Sequence, residues 1–276
     1  MKENILIRKV VALVSVMIFT TLIMAGCGST TKDSTSGASE SKKIIIGTGN
    51  GFKPYCYLDD SGNLVGYELE VLKEVNRRLP QYKFEFETLD FKNILLSLGA
   101  SKVDIGAHQF EKNPDRAQKY LFADESYTTF ILRITVAKNR TDINSIEDLH
   151  GKSVLVGEGG NDAFVLEQYN KEHGNPIKLV YTSGSDPVTM IKALEDCRAD
   201  AFISIKRIVD GYNQTYGDKV KIVGQPISTS STYYIYRKED TQLKTDIDKV
   251  LKEMKADGTL AQISIKVLGG DYTTND

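Results

Sequence analysis

Two rounds of short apolar strands alternating with amphipathic helical segments constrain this chain more than any other feature of its sequence. A strand buries a face and a helix buries a stripe, so this alternation is satisfied by helices packed on a sheet, an α/β fold. In the first round, residues 44–46 form a short apolar strand. It ends in Gly47-Thr48-Gly49-Asn50-Gly51, a run too flexible for either regular element. Tyr67, Val71, Val75 and Leu79 recur at i, i+4 spacing and predict a helix over 67–79, stopped by Pro80. Residues 82–88 alternate aromatic with charged side chains, the period of a half-buried strand. Residues 93–98 read as a helix ended by Gly99, and 103–107 as the next strand.

The second round follows a strand at 131–138. Ser145 and Asp148 resemble a capping box, 153–156 is a strand, and residues 157–160 lead into a helix over about 161–172. After a strand at 177–181, Asp186-Pro187 supplies an N-cap and a proline at the first helical position. A strand at 231–236, a helix over 241–255 closed by Gly258 and a last helix over 259–268 complete the chain. The two rounds share a faint repeat. Leu98 to Asp104 and Leu194 to Asp200 have the same spacing from a helix's last turn into a strand, and Ile44-Ile45-Ile46-Gly47 matches Val154-Leu155-Val156-Gly157. Two similarly wound lobes follow, 43–131 with 230–276 and 132–229, hinged where the chain crosses near 129–133 and 226–232. Ligand crevices of such sheets lie beyond the carboxyl ends of the strands, where these glycines sit.

Of the 276 residues 41% are hydrophobic and 26% charged, which excludes a disordered chain, and a net charge of −2 without a basic block argues against nucleic acid. Three Cys and three His without paired spacing provide neither a disulfide scaffold nor a zinc site, and no cofactor is expected. At the N-terminus, Lys2, Arg8 and Lys9 precede an uncharged run over 10–24. As a helix this run would span about 22 Å, short of the ~30 Å bilayer core, so it reads as a signal peptide. Met24-Ala25-Gly26-Cys27 resembles the lipobox of bacterial lipoproteins, although Leu is usual where Met24 stands. That resemblance makes 1–26 the signal peptide and Cys27 the lipid-bearing mature N-terminus. The polar Ser, Thr and Gly run that follows reads as a tether over 27–42. Loss of 1–26 takes three basic and one acidic residue and leaves 250 residues with net charge −4. Cys56 and Cys197 fall in different lobes and are expected to be free thiols.

From about Lys43 to Thr273 the chain resembles the polar amino-acid solute-binding proteins that serve bacterial ABC importers. The resemblance is carried by Pro54-Tyr55-Cys56-Tyr57, Gly66-Tyr67-Glu68-Leu69, Asn113-Pro114-Asp115-Arg116 with Phe122, Glu147-Asp148-Leu149, Arg198-Ala199-Asp200-Ala201 and Ala256-Asp257-Gly258-Thr259-Leu260. Lys112 to Arg116, Lys119 to Phe122 and Gly160-Asn161 look most like the cystine-binding subgroup. This implies a two-lobe periplasmic-binding-protein type II fold, a small amino-acid ligand such as cystine, and a membrane permease as partner. It also implies a monomer anchored by lipid at the outer face of the membrane, with no bond broken. The ligand set it implies is Asn50, Phe52, His108, Gln109, Phe110, Glu111, Arg116, Gly160, Asn161 and Ser204.

Physical chemistry gives several of these a role. Arg116 can grip a carboxylate with two parallel bonds, the alternative being a surface ion pair with Asp115 or Glu111. Gly160-Asn161 opens a helix whose free N–H groups suit the same carboxylate, the alternative for Asn161 being a plain cap. Phe52 can pack on the ligand side chain, with Tyr55 and Tyr57 nearby. The sequence also departs from the family. Glu111 stands where Thr is usual, and the two aspartates that commonly hold the ligand ammonium are replaced by Gly49 and by Ser204-Ile205-Lys206. Glu111 and Glu158 are the carboxylates left near the cleft, either as ligand groups or as solvated surface charges. A dehydratase using His108 with Glu111, or a sensor for a membrane receptor, would share this fold.

Overall fold

The computed structural model describes residues 41–183 and 186–274. The stretch 1–26 read as a signal peptide, Cys27 and nearly all of the stretch read as a tether lie outside the described residues. In chain order the elements are β1 (Lys42–Thr48), β2 (Gly51–Phe52), β3 (Cys56–Leu58), β4 (Leu64–Val65), α1 (Tyr67–Arg78), β5 (Tyr82–Thr88), α2 (Phe91–Gly99) and β6 (Ile105–Glu111). Then come α3 (Pro114–Lys119), β7 (Leu121–Phe122), β8 (Thr128–Ala137), a 3-10 turn (Glu147–Leu149), β9 (Ser153–Gly157), α4 (Asn161–His173) and β10 (Lys178–Thr182). The chain ends with α5 (Pro187–Glu195), β11 (Ala201–Ser204), α6 (Lys206–Tyr216), β12 (Val220–Tyr236), α7 (Thr241–Ala256) and α8 (Thr259–Leu268).

The main sheet has the order β10-β9-β11-β8-β12-β6-β1-β5, with β7 on β12. At one end β1 lies between β5 and β6, all parallel; at the other, β9 lies between β10 and β11, also parallel. The same winding occurs twice, as the repeat implied. Each half closes its repeat with the same lock. Asp104 accepts the Ile45 N–H at 2.8 Å and is held by Arg237 at 3.0 Å; Asp200 accepts the Ser153 N–H at 2.7 Å and is held by Arg140 at 2.8 Å. The aspartates pin the strand that follows a helix to the first strand of their half, and their arginines neutralise them in partly buried positions.

β8 and β12 join the halves as a long antiparallel pair. Residues 128–132 face 228–232, after which the register shifts between Val223 and Ser228. Gly224 makes the shift possible: its φ is +69° and a Cβ there would lie 2.6 Å from the Asn144 carbonyl oxygen. The crossings expected near 129–133 and 226–232 are thus one paired ribbon. In the core, α1 packs its Leu69, Leu72 and Val75 with Ile247, Leu251 and Leu260 of α7 and α8.

Several boundaries differ from the sequence reading. β1 runs through Gly47 and Thr48, so the glycine run is half strand. β6 runs to Glu111 rather than stopping at 107, because His108 to Glu111 continue the buried strand toward β12. Gly258, left-handed at φ +77°, follows the C-cap Asp257 and closes α7 as expected, and it also stands at the N-cap of α8. The Ser145 and Asp148 pair is local: Asp148, inside a single 3-10 turn, accepts the N–H groups of Asn144 and Ser145 at 2.8 and 3.0 Å, and no side chain caps that turn. α3 and α6 were not anticipated as helices. Among the described residues no helix is long and apolar enough to cross a membrane, and Cys56 and Cys197 are both free.

Candidate ligand-binding site

A cavity of about 500 Å³ opens where the carboxyl ends of β1, β6, β9, β10 and β11 converge. Asn50, Phe52, His108, Gln109, Glu111, Arg116, Gly160, Asn161 and Ser204 all line it. Phe110 does not: past the left-handed Gln109 its side chain is fully buried with Ile94, Leu98 and Ile235 and stacks on Phe91 at 5.1 Å. A ligand contact at Phe110 could be made only through its backbone.

Arg116 is placed by its own sequence. Asn113 caps α3 by accepting the Arg116 N–H at 2.9 Å, and Pro114 fits the first turn. The guanidinium, 7% exposed, donates to the Glu111 carbonyl at 2.8 Å and to the Gly159 carbonyl at 2.7 Å, so one cation links the β6 half to the β9 half. It lies 5.3 Å from the Phe110 ring centre and 5.8 Å from that of Phe91. It is no surface ion pair. Burial lowers its pKa, and Glu111 and Asp162 oppose that shift.

Glu111 is the principal buried carboxylate of the site, 4% exposed. It accepts from Asn161 Nδ2 at 3.0 Å and from the Ser230 hydroxyl. Burial pushes its pKa up to about 7, against the pull of Ser230, Arg116 and Asn161. Its side chain joins Asn161 of the opposite half to Ser230 of its own and is not turned to solvent. Asn161 is more than a cap, since its Oδ1 also accepts from Asn113 Nδ2 at 3.2 Å. The helix N-terminus behind it already faces a carboxylate: Asp162 accepts from its own and the Ala163 N–H of the first turn and from the Gly157 N–H at 2.8 Å. Glu158 pairs with Lys92 at 2.8 Å across the mouth of the cavity.

Gln109 has a left-handed backbone, φ +53°, which a non-glycine residue adopts only when held there. Glu68 and Tyr127 hold it. Glu68 accepts the Gln109 N–H at 3.3 Å and its side-chain N–H at 2.8 Å, and the Tyr127 hydroxyl accepts the same two groups at 3.1 and 3.3 Å. Glu68, fully buried at the start of α1, has its pKa pushed up to about 7 by that burial. Within Gly66-Tyr67-Glu68-Leu69 nothing in the sequence assigns Glu68 a part in the site. On the remaining wall His108 stacks on Phe52, ring centres 5.3 Å apart, and meets Phe91 edge-on at 5.0 Å; burial pushes its pKa down to about 4. Phe91, Phe130, Asp162, Met190, Phe202 and Tyr212 also line the cavity and were missed. Phe91, Asp162 and Met190 lie in the first turn of a helix, the one positional signal available, whereas Phe130, Phe202 and Tyr212 lie within their elements and carry none. Among the described residues no cluster of His, Cys, Asp and Glu could hold a metal ion.

Two parallel α/β halves, a two-strand connection and a cavity between the strand ends define a two-lobe binding protein of the type II periplasmic fold. The chain belongs to the bacterial extracellular solute-binding proteins, family 3, which it matches over residues 44–270. It is 41% identical to the L-cystine-binding protein TcyK of Bacillus subtilis over 251 residues, 91% of this chain and 93% of that one. A solved putative L-cystine ABC transporter protein from Listeria monocytogenes superposes with a TM-score of 0.79 at 43% identity, covering 84% of this chain and 98% of that one. A Streptococcus mutans structure, described in connection with glutathione import via GshT and the cystine importer TcyBC, gives 0.78 at 29% identity, with 85% and 98% covered.

Proposed function

We propose that this protein is the ligand-capturing component of an ABC importer and that its ligand is L-cystine or a related sulfur-containing or polar amino acid. The observation that carries this reading is the buried Arg116 guanidinium at the point where both halves meet the cavity. A ligand carboxylate can take the place of a backbone carbonyl on this cation and gain a charge-assisted, two-bond contact. The named cystine-binding relatives supply the substrate class.

In this reading the lobes are 43–131 with 230–276 and 132–229, and they close on ligand about the β8–β12 ribbon. The protein is a monomer that hands its ligand to a membrane permease and breaks no bond. Cys27 carries a lipid that holds it at the outer face of the cell membrane, with 27–42 as tether. The extracellular nature of the family supports that location.

A thermal-shift panel with cystine, glutathione and polar amino acids tests the ligand. Ligand at ~100 times its dissociation constant adds roughly 2.7 kcal/mol, about 5–10 °C of midpoint shift for a body of this size. Cystine is expected to shift the midpoint and to be recovered unchanged. No shift with any amino acid, or turnover of cystine, overturns the proposal.

A further inference from the structure

Gly49 lies at the carboxyl end of β1 and lines the cavity. Its backbone is outside the left-handed region, so glycine is not required there for conformation. Space is what it provides. A Cβ at position 49 would fall 2.3 Å from His108 Nε2 and 2.5 Å from His108 Cδ2, distances that no side chain tolerates. The imidazole has taken the room that any side chain at 49 would need. Nor is the ring at liberty to swing aside, because Phe52 stacks on it nearly parallel, at 7°, and Phe91 meets it edge-on. Phe52, His108 and Phe91 all line the cavity and form one aromatic slab, with Cys56 Sγ behind it, 3.6 Å from the same Cβ position.

We propose that His108 is a specificity-determining residue of this cleft: seated in the notch that Gly49 leaves, it presents aromatic surface where a side chain at 49 would otherwise project, and so favours an amino acid with an uncharged, polarisable side chain, such as a disulfide or thioether, over one with a cationic side chain. The inference rests on the cavity being the ligand site, as proposed above. Sulfur gains from contact with aromatic rings, whereas a guanidinium or ammonium brought against this wall has ring faces alone, with no carboxylate at position 49 or 108, to offset the water it sheds. Burial keeps the imidazole uncharged at neutral pH, so it adds no repulsion of its own and no attraction.

Titration of cystine and of arginine into the full chain and its variants tests this. Wild type is expected to bind cystine more tightly than arginine. His108→Ala is expected to lose roughly tenfold in cystine affinity while losing less for arginine. Gly49→Asp alone is expected to destabilise the fold, and the same substitution in the His108→Ala background to be tolerated and to raise arginine affinity above wild type. An unchanged cystine-to-arginine ratio in His108→Ala overturns the specificity role. Equal damage from Gly49→Asp in both backgrounds overturns the notch. Arg116→Ala separates the two levels: if it leaves all binding intact, the cleft assignment fails and this proposal fails with it, whereas lost binding in Arg116→Ala beside an unchanged ratio in His108→Ala removes only the proposal.

Discussion

Glu68 and Glu111 each carry a carboxylate into the interior, and each remains protonatable near pH 7 because burial disfavours its charged form. Their folded pKa lies above the unfolded value, so between about pH 4.5 and 7 the folded state holds more protons than the unfolded one. The stability they contribute is complete below that window and is lost as pH rises through it. His108, depressed to about 4, acts in the opposite sense between pH 4 and 6.5, so the carboxylate effect is read from variants against wild type. For Glu68, Oε1 has no partner among the described residues while Oε2 carries the Gln109 bonds. Glu68→Gln keeps an acceptor and removes the titration. It is expected to flatten the fall in stability between pH 5 and 8 and to gain on the order of 1–3 kcal/mol relative to wild type at pH 8, measured by urea denaturation at both pH values. A variant whose curve stays parallel to wild type would show that Glu68 does not titrate in that window. Thiols separate by the same physics. Burial pushes Cys56 up to about 12, whereas Cys197 is exposed. Brief alkylation of the folded protein followed by peptide mapping is expected to label Cys197 and spare Cys56. None of this is legible in the sequence, where Glu68 lies between Tyr67 and Leu69 on a helix whose periodicity marks the apolar stripe and says nothing of a carboxylate beneath it.

The elements read most clearly where local chemistry and tertiary packing agree. α1, β5 and α8 follow their periodicity, and Asp186-Pro187 starts α5 as capping rules require, with Asp186 accepting the Thr189 N–H at 2.8 Å. α6 was illegible because Ile205 precedes it without a side-chain cap and Gly211 interrupts it, leaving only Ile208, Val209 and Tyr212 to mark its inner face. The two-residue strands β2 and β4 are too short to carry a period. The weakest sequence signal, the Leu-to-Asp spacing, proves to be the most informative, because both copies contain the same backbone event. Ser101 and Cys197 occupy equivalent positions, with φ of 56° and 55°, and each donates its N–H to the Leu carbonyl three residues back. A left-handed residue turns the chain out of the helix so that Asp104 and Asp200 can reach their strands. A side chain in that conformation costs roughly 1 kcal/mol, partly offset by the greater unfolded freedom of glycine. Ser101→Gly and Cys197→Gly are each expected to stabilise by roughly 0.5–1 kcal/mol, and to add within ~0.5 kcal/mol because the sites belong to different halves. Calorimetry of the single and double variants checks this, and a loss of stability in both would remove the account of the repeat.

At the scale of the whole molecule, several contacts join the β1 half to the β9 half, and their burial ranks them. Lys92 and Glu158 are 45% and 43% exposed, which leaves their pair worth ~0–1 kcal/mol and open to screening by salt. Arg207 is different. It lies in the first turn of α6, at the positive end of the helix dipole, and forms no ion pair among the described residues. Its guanidinium donates to the Tyr55 hydroxyl and, at 2.5 Å, to the Thr129 carbonyl, and it sits 4.6 Å from the Tyr272 ring centre, with Tyr55 at 5.4 Å and Phe130 at 5.6 Å. Such a cage compensates a partly desolvated cation with hydrogen bonds and ring faces. Tyr55 and Phe130 adjoin Phe52 and the cavity, but Arg207 does not line it. If opening about the β8–β12 ribbon separates α6 from this cage, the contacts are present in the closed form alone and bias the opening equilibrium toward closure. Contacts of this kind contribute ~2 kcal/mol, and a ligand held by the closed form loses apparent affinity by about that bias, roughly 30-fold. Arg207→Gln is therefore expected to weaken cystine binding 10- to 30-fold, chiefly by faster release, and to raise the radius of gyration of the ligand-free protein in small-angle scattering. Lys92→Ala is expected to change affinity less than about fivefold, with that change fading at high salt. An Arg207 variant with unaltered release rate and scattering would confine the cage to holding the fold together and leave closure to Arg116, Glu111 and Asn161.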